Sequence, residues 1–133
     1  MKRVALFLVI VAILALLPGS NSVAQKLGEK VFWMSTAEVP LGNLTEYHAL
    51  LQNEQIPAME KYGYTIVGVW QTIVGDIQSV IILAEFKDMN AYGTARRAWL
   101  GSDEWKVVGK KATELGMHVK TAFLNAAPYS KMQ

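Results

Sequence analysis

Apolar residues recur along this chain with two periods, and the places where the period changes divide it into elements. Val31 to Ser35, with Phe32, Trp33 and Met34 at its centre, reads as a first strand. Pro40 and Gly42 mark a loop, after which Leu44, Tyr47, Leu51, Met59 and Tyr62 fall at helical spacing. Asn43-Leu44-Thr45-Glu46 predicts a capping box at the start of that helix, and Gly63 predicts its C-cap. Pro57 lies inside the pattern. Without an N–H, and with its ring against the carbonyl four residues back, it predicts a kink or a split.

Two runs rich in Val, Ile and Thr follow, Tyr64–Ile73 and Ser79–Phe86, and flank Gly75-Asp76, the signature of a tight hairpin. Asp88 predicts the cap of a second helix, Met89 to Leu100, with Tyr92, Ala95 and Trp99 on one side. Gly101 interrupts it. Ser102, backed by Asp103 and Glu104 at the positive end of the dipole, starts a continuation that ends near Leu115-Gly116. Met117 to Asn125 reads as a last strand before a Pro-containing tail. The order β-α-β-β-α-β predicts an α+β fold of the ferredoxin-like kind, a four-stranded antiparallel sheet with helices on one face.

Such a sheet should be polar on its uncovered face, yet the hairpin strands are apolar at nearly every position. With a turn of two or four residues, Ile66, Gly68 and Trp70 share a face with Ile81, Leu83 and Glu85. Val67, Val69, Ile82, Ala84 and Phe86 then form the other face, suited to helices. A three-residue turn would exchange the two sets. In either case the chain has no third layer for the second apolar face, so a second copy is expected to cover it and form a dimeric α/β barrel.

The start of the chain bears on location. Lys2 and Arg3 precede an uninterrupted apolar run, Val4 to Leu17, then Pro18-Gly19 and the small residues Ser22-Val23-Ala24. That pattern predicts a cleavable export signal over residues 1–24 and a single mature domain over 25–133, periplasmic or secreted. The run falls short of the roughly 20 residues a membrane-spanning helix needs, so no stable span is expected after cleavage. Lys+Arg falls from 13 to 11 when Lys2 and Arg3 leave, which balances the 11 Asp+Glu. A neutral mature domain argues against a nucleic-acid partner, which normally needs a basic face. With no cysteine, stability must come from packing or from a partner subunit.

The segments Tyr64-Thr65-Ile66-Val67-Gly68-Val69-Trp70, Gly75-Asp76, Glu85-Phe86-Lys87-Asp88 and Ser102-Asp103-Glu104-Trp105 together resemble the NIPSNAP family, over about Val31 to Phe123. The first strand departs from the family pattern, with Phe32, Trp33 and Met34 where an Arg and a Tyr are usual. The resemblance implies a dimeric α/β barrel. That superfamily also holds cofactorless monooxygenases, isomerases, haem-degrading enzymes and proteins with no known reaction.

Several chemistries are absent from the sequence. There is no thiol, no Gly-x-Ser-x-Gly elbow, no Gly-rich phosphate loop and no His-Glu-x-x-His pair. His48 and His118 alone cannot complete a three-ligand metal site. Glu85 is the foremost catalytic candidate: a carboxylate in an apolar strand beside Trp70 would hold its proton more tightly and could move it. A strand-end Glu paired with a lysine is the structural alternative. His118, at the start of the last strand, is the second candidate, as a general base or a haem ligand. Trp70, Trp33 and Leu83 are the candidate walls of a flat apolar pocket. Arg96-Arg97 reads as a solvated helix face, with anion binding as the alternative.

The expectation is an exported homodimer that binds a small, mostly apolar molecule in the barrel cleft without a cofactor. Its rivals are a cofactor-independent monooxygenase or isomerase using Glu85 or His118, a haem-binding or haem-processing barrel using His118, and a non-catalytic dimeric interaction module.

Overall fold

In a computed structural model the described residues are 29–132. The export signal expected over residues 1–24 lies outside the described residues. The order of elements is β1 (Val31–Glu38), a 3-10 turn (Leu41–Asn43), α1 (Leu44–Leu50), a π-helical turn (Leu51–Gln55), α2 (Ile56–Lys61), β2 (Thr65–Gln71), β3 (Ser79–Phe86), α3 (Met89–Leu100), α4 (Asp103–Glu114) and β4 (His118–Asn125). The strands form one antiparallel sheet in the order β2-β3-β1-β4, the ferredoxin-like arrangement. No helix among the described residues is long and apolar enough to cross a membrane.

Local chemistry explains the helix ends. The Asp88 carboxylate accepts from the Ala91 N–H at 2.8 Å, and the Ser102 hydroxyl accepts from the Trp105 N–H at 3.0 Å. Gly63 closes α2 at φ 97°, a conformation that favours glycine. Asn43 does something other than expected. Its side chain makes no cap for α1, and its Nδ2 instead donates to the Leu115 carbonyl at 2.9 Å, satisfying an acceptor left over at the end of α4. At Pro57 the first helix is divided by the π-helical turn Leu51–Gln55. The chain widens just before Pro57, so that the Ile56 N–H donates to the Leu51 carbonyl, five residues back.

The sheet register decides the faces. Trp70 stands opposite Ile81 and Gly68 opposite Leu83, as a turn with an even number of residues requires. A β-bulge at Val67 then inverts the pattern, placing Ile66 opposite Ala84 and Thr65 opposite Glu85. Ile66 therefore packs with the helix-side core rather than with Trp70, which corrects the expected face. Gly68 permits the local geometry, because the Trp70 indole lies over it: a Cβ there would sit 2.6 Å from the ring.

The core lies between sheet and helices, built on Val80, Ile82, Ala84 and Phe86 of β3, Trp33, Ala37 and Val39 of the first strand region, and Tyr47, Leu51, Met59, Trp99 and Val108 above them. The opposite face carries Met34, Ile81, Leu83, Glu85, Trp70 and Leu124. It is not wholly bare. The tail returns along one end, where Ala126, Tyr129 and Met132 border the same groove as Phe32 and Leu83, and Phe32 is buried. The chain thus supplies part of a third layer that the sequence did not suggest.

Candidate functional site

On the helix side of β1, side chains alternate from large to small: Trp33, then Ser35, then Ala37, with Ala84 beside Trp33 on β3. Helices pack above, α2 against β2 and α3 against β3, but β4 is left thinly covered. Val119 and Phe123 face the helix side and are still about half exposed, at 52% and 45%. Small residues beneath and a missing roof at one edge leave a cleft of about 470 Å³. That volume suits a small organic molecule.

Its walls are rich in aromatic rings, with Ser35, Gln55, Arg96 and Thr121 among them. Trp33, Tyr47, Tyr64, Tyr92, Trp99 and Trp105 line it, with Met59 and Met117 filling between them. Edge-to-face contacts fix the rings: Trp33 to Tyr64 with centroids 5.6 Å apart, and Trp99 to Trp105 at 5.4 Å. Tyr64 continues through Phe86 and Tyr92 to Phe123 by further edge contacts of 5.1, 5.3 and 4.8 Å.

Two buried polar atoms in these walls have no protein partner among the described residues: Trp33 Nε1 and Gln55 Oε1. Such groups cost stability unless something bonds to them. Gln55 ends the π-helical turn, a feature frequent at functional sites, and its Nε2 reaches only the Met59 sulfur at 3.7 Å. Burial pushes the phenols of Tyr47 and Tyr64 up to about 12, so both remain protonated donors at neutral pH. At Tyr64 the nearby Tyr92 adds to this and Arg96 opposes it. Arg96 also lines the cleft, is exposed, and has no acidic partner among the described residues.

The candidates named from sequence do not converge there. Trp33 is in the cleft. Trp70, Leu83, Glu85 and His118 lie on the opposite sheet face, so Trp70 and Leu83 do not share a pocket with Trp33. Glu85 is paired with Lys30 at 3.1 Å, and its side chain is 30% exposed, which is the structural alternative considered for it. Trp70 and Glu85 share a face, but their places on β3, Ile81 and Glu85, are roughly 13 Å apart along the strand. His118 is exposed opposite Glu38, which pairs with Lys120. Glu85 and His118 are opposite Phe32 and Glu38 on β1, roughly 20 Å apart, and cannot act on one substrate atom. His48 contacts Gln71 at 2.8 Å, outside the cleft. Among the described residues no cluster of three His, Cys, Asp or Glu could hold a metal ion.

Sequence reasoning overlooked Gln55, although a signal was present. It stands midway between Leu51 and Met59 on the apolar stripe of the first helix, where a polar side chain must point inward. Tyr64, Tyr92 and Arg96 reach the cleft only through tertiary packing.

An antiparallel ferredoxin-like sheet with a ring-lined cleft under its helices places the chain among the small α+β proteins of ferredoxin-like fold. Residues 35–131 match the NIPSNAP family, and the chain belongs to it. Among solved structures, a NIPSNAP family protein from Agrobacterium tumefaciens superposes with a TM-score of 0.74 at 15% identity, covering 80% of this chain and 93% of the other. An uncharacterized NIPSNAP domain protein from Burkholderia xenovorans gives 0.69 at 20% identity, covering 75% and 97%. SnoaB from Streptomyces nogalater, a cofactor-independent oxygenase, gives 0.56 at 14% identity, covering 80% and 100%. No curated protein matches this chain in sequence.

Proposed function

We propose that this NIPSNAP-family chain is an exported homodimer that binds a small, flat, mostly apolar molecule in the cleft between its sheet and its helices. The observation that carries this reading is the aromatic cleft of about 470 Å³, open at the β4 edge. An interaction module with a cleft plugged by its own side chains would not keep that volume. The second copy belongs on the other sheet face, where half-exposed Trp70 lies among Ile81 and Leu83. Export rests on Lys2-Arg3, the apolar run Val4 to Leu17, and Ser22-Val23-Ala24.

Native mass spectrometry of the gently purified protein tests both parts. A dimer carrying a non-protein mass is expected. A monomer with nothing bound, which stays unliganded when offered a panel of flat aromatic compounds, would overturn the reading.

The likeness to SnoaB favours a second reading, a cofactor-independent oxygenase acting in the same cleft. Glu85 and His118 would serve it only for a substrate held between the two copies, since both lie on the sheet face proposed for the dimer. Returning the released ligand to the protein in air is the test. Recovery with an added oxygen atom supports an oxygenase, and recovery unchanged leaves binding alone. A haem held by His118 would have to lie outside this cleft, because neither His48 nor His118 lines it.

A further inference from the structure

The floor of the cleft holds two hydroxyls that the protein itself does not use. Ser35 on β1 and Thr121 on β4 are directly opposite in the antiparallel register, and both line the cleft. Residues paired this way hold their Cβ atoms about 4.5–5.5 Å apart, so one ligand atom can reach both hydroxyls. Ser35 is only 4% exposed, and its hydroxyl has no protein partner among the described residues. Nor is that oxygen sealed in, as Trp33 Nε1 and Gln55 Oε1 are, so it opens onto the space that Ser35 lines. Thr121 is exposed on the edge strand, and its hydroxyl is likewise unpartnered among the described residues.

Donors outnumber acceptors around this pair. Among the described residues the lining includes no carboxylate and no histidine, and the Gln55 oxygen is closed off from it. The phenols of Tyr47 and Tyr64 stay protonated and add two more donors. If Ser35 and Thr121 bonded to each other, one of their two protons would still lack an acceptor. A floor that only had to be filled would carry Ala at position 35, as it does at Ala37, since an unanswered buried hydroxyl costs folding free energy.

We infer that the cleft takes an apolar molecule bearing a neutral carbonyl, and that Ser35 and Thr121 together donate to its oxygen. A carbonyl oxygen has two lone pairs and no proton, so it answers both hydroxyls and adds no further donor. A carboxylate would also accept, but would bring a full charge between Trp33 and Ala37 on one strand and Phe123 and Val119 on the other. The apolar body then lies against the rings of Trp33 and Tyr64. This rests on the cleft being a ligand site, as proposed above, and adds the ligand's polar group and the residues that hold it.

Isothermal titration of the purified protein with two isosteric probes tests it: 2-acetonaphthone and 2-isopropenylnaphthalene, which differ only in C=O against C=CH2. The ketone is expected to bind about tenfold or more tightly than the alkene. Its carbonyl stretch, read by infrared difference spectroscopy, should fall on binding relative to an apolar solvent. Ser35→Ala and Thr121→Val each remove a hydroxyl with little change of shape. Each should weaken the ketone about three- to tenfold, leave the alkene unchanged and return the carbonyl stretch part of the way. Equal binding of the two probes, or an unshifted carbonyl in the parent protein, would overturn the contact while leaving an apolar cleft; neither reading depends on the variants folding. A ketone advantage that survives both substitutions in folded protein would overturn it too. So would 2-naphthoate binding more tightly than the ketone and losing that advantage in Arg96→Gln. Failure of every probe to bind would sink the cleft reading itself, and this inference with it.

Discussion

A methyl group added at Gly68 separates folding from dimerisation. The backbone at Gly68 is not in the left-handed region, so Ala is conformationally allowed, and replacing Gly in a strand favours folding by roughly 0.5–1 kcal/mol. The new Cβ, however, would stand 2.6 Å from Trp70 Cη2 and 2.7 Å from Cζ2. The indole is half exposed and can swing away, at about 0.5–1.5 kcal/mol if it leaves its preferred rotamer. The two effects nearly cancel in the isolated chain. They do not cancel in a dimer. A tryptophan buries about 200 Å², so half exposure leaves about 100 Å² for a partner to cover, or about 2.5 kcal/mol. A two-fold interface uses the ring twice, which doubles this to about 5 kcal/mol. Losing half of that contact raises the dimer Kd on the order of a hundredfold. Sedimentation equilibrium across a concentration series, with circular dichroism on the same samples, reads both quantities. Gly68→Ala protein that is folded and dimerises with the parent Kd would refute the placement of Trp70 in the interface.

Three further outcomes follow from local geometry. Glu104 is held near 2, below its ordinary 4.5, first by its hydrogen bond from Lys61, then by a backbone N–H and the Tyr62 hydroxyl at 2.9 Å. Because the folded value is depressed, its contribution is present above about 4.5 and is lost as pH falls towards 2; Glu104→Gln should flatten that acid limb of the melting curve and change little at neutral pH. Asp88→Ala removes the cap on Ala91 and should cost about 1 kcal/mol in denaturant titration, with ligand affinity unchanged. Gly63→Ala forces an L side chain to φ 97° and should cost about 1–2 kcal/mol, seen as a lower Tm, although the nearest atom, Ala95 Cβ at 3.5 Å, leaves room.

What the sequence disclosed was local. Asp88 and Ser102 cap as expected because each bonds three residues along its own chain. The face shared by Trp70 and Leu83 followed from turn parity and failed only past Val67, where apolar residues on both sides gave no hint of a bulge. Asn43 was read as a cap because the acceptor it prefers, Leu115, is 72 positions away. Trp33 was grouped with Trp70 and Leu83 because the pairing of β1 with β3 is a tertiary fact; once Trp33 stands opposite Ala84 and Leu83 opposite Met34, the two tryptophans lie on different faces. The cleft was foreseeable as a place but not as a set of residues. Its members come from seven elements, the π-helical turn among them, and the segments joining them, and only Gln55 betrayed itself by interrupting a stripe.

The two faces of the sheet are linked through stability. On the helix side the chain leaves a cleft open, strands two buried polar atoms and exposes half of Val119 and Phe123. Each of these weakens the isolated fold, and a domain this small has little surplus to absorb them. No cysteine is present to staple it. The proposed dimer offers a remedy on the other face, where Trp70, Ile81 and Leu83 would meet a second copy and Phe32 is already buried beside the tail. On this reading the dimer stabilises what the cleft destabilises, and ligand and partner should act in the same direction. A ligand bound in the cleft raises the melting temperature directly. A variant that loosens the dimer, such as Gly68→Ala, should lower it only at protein concentrations where the dimer comes apart.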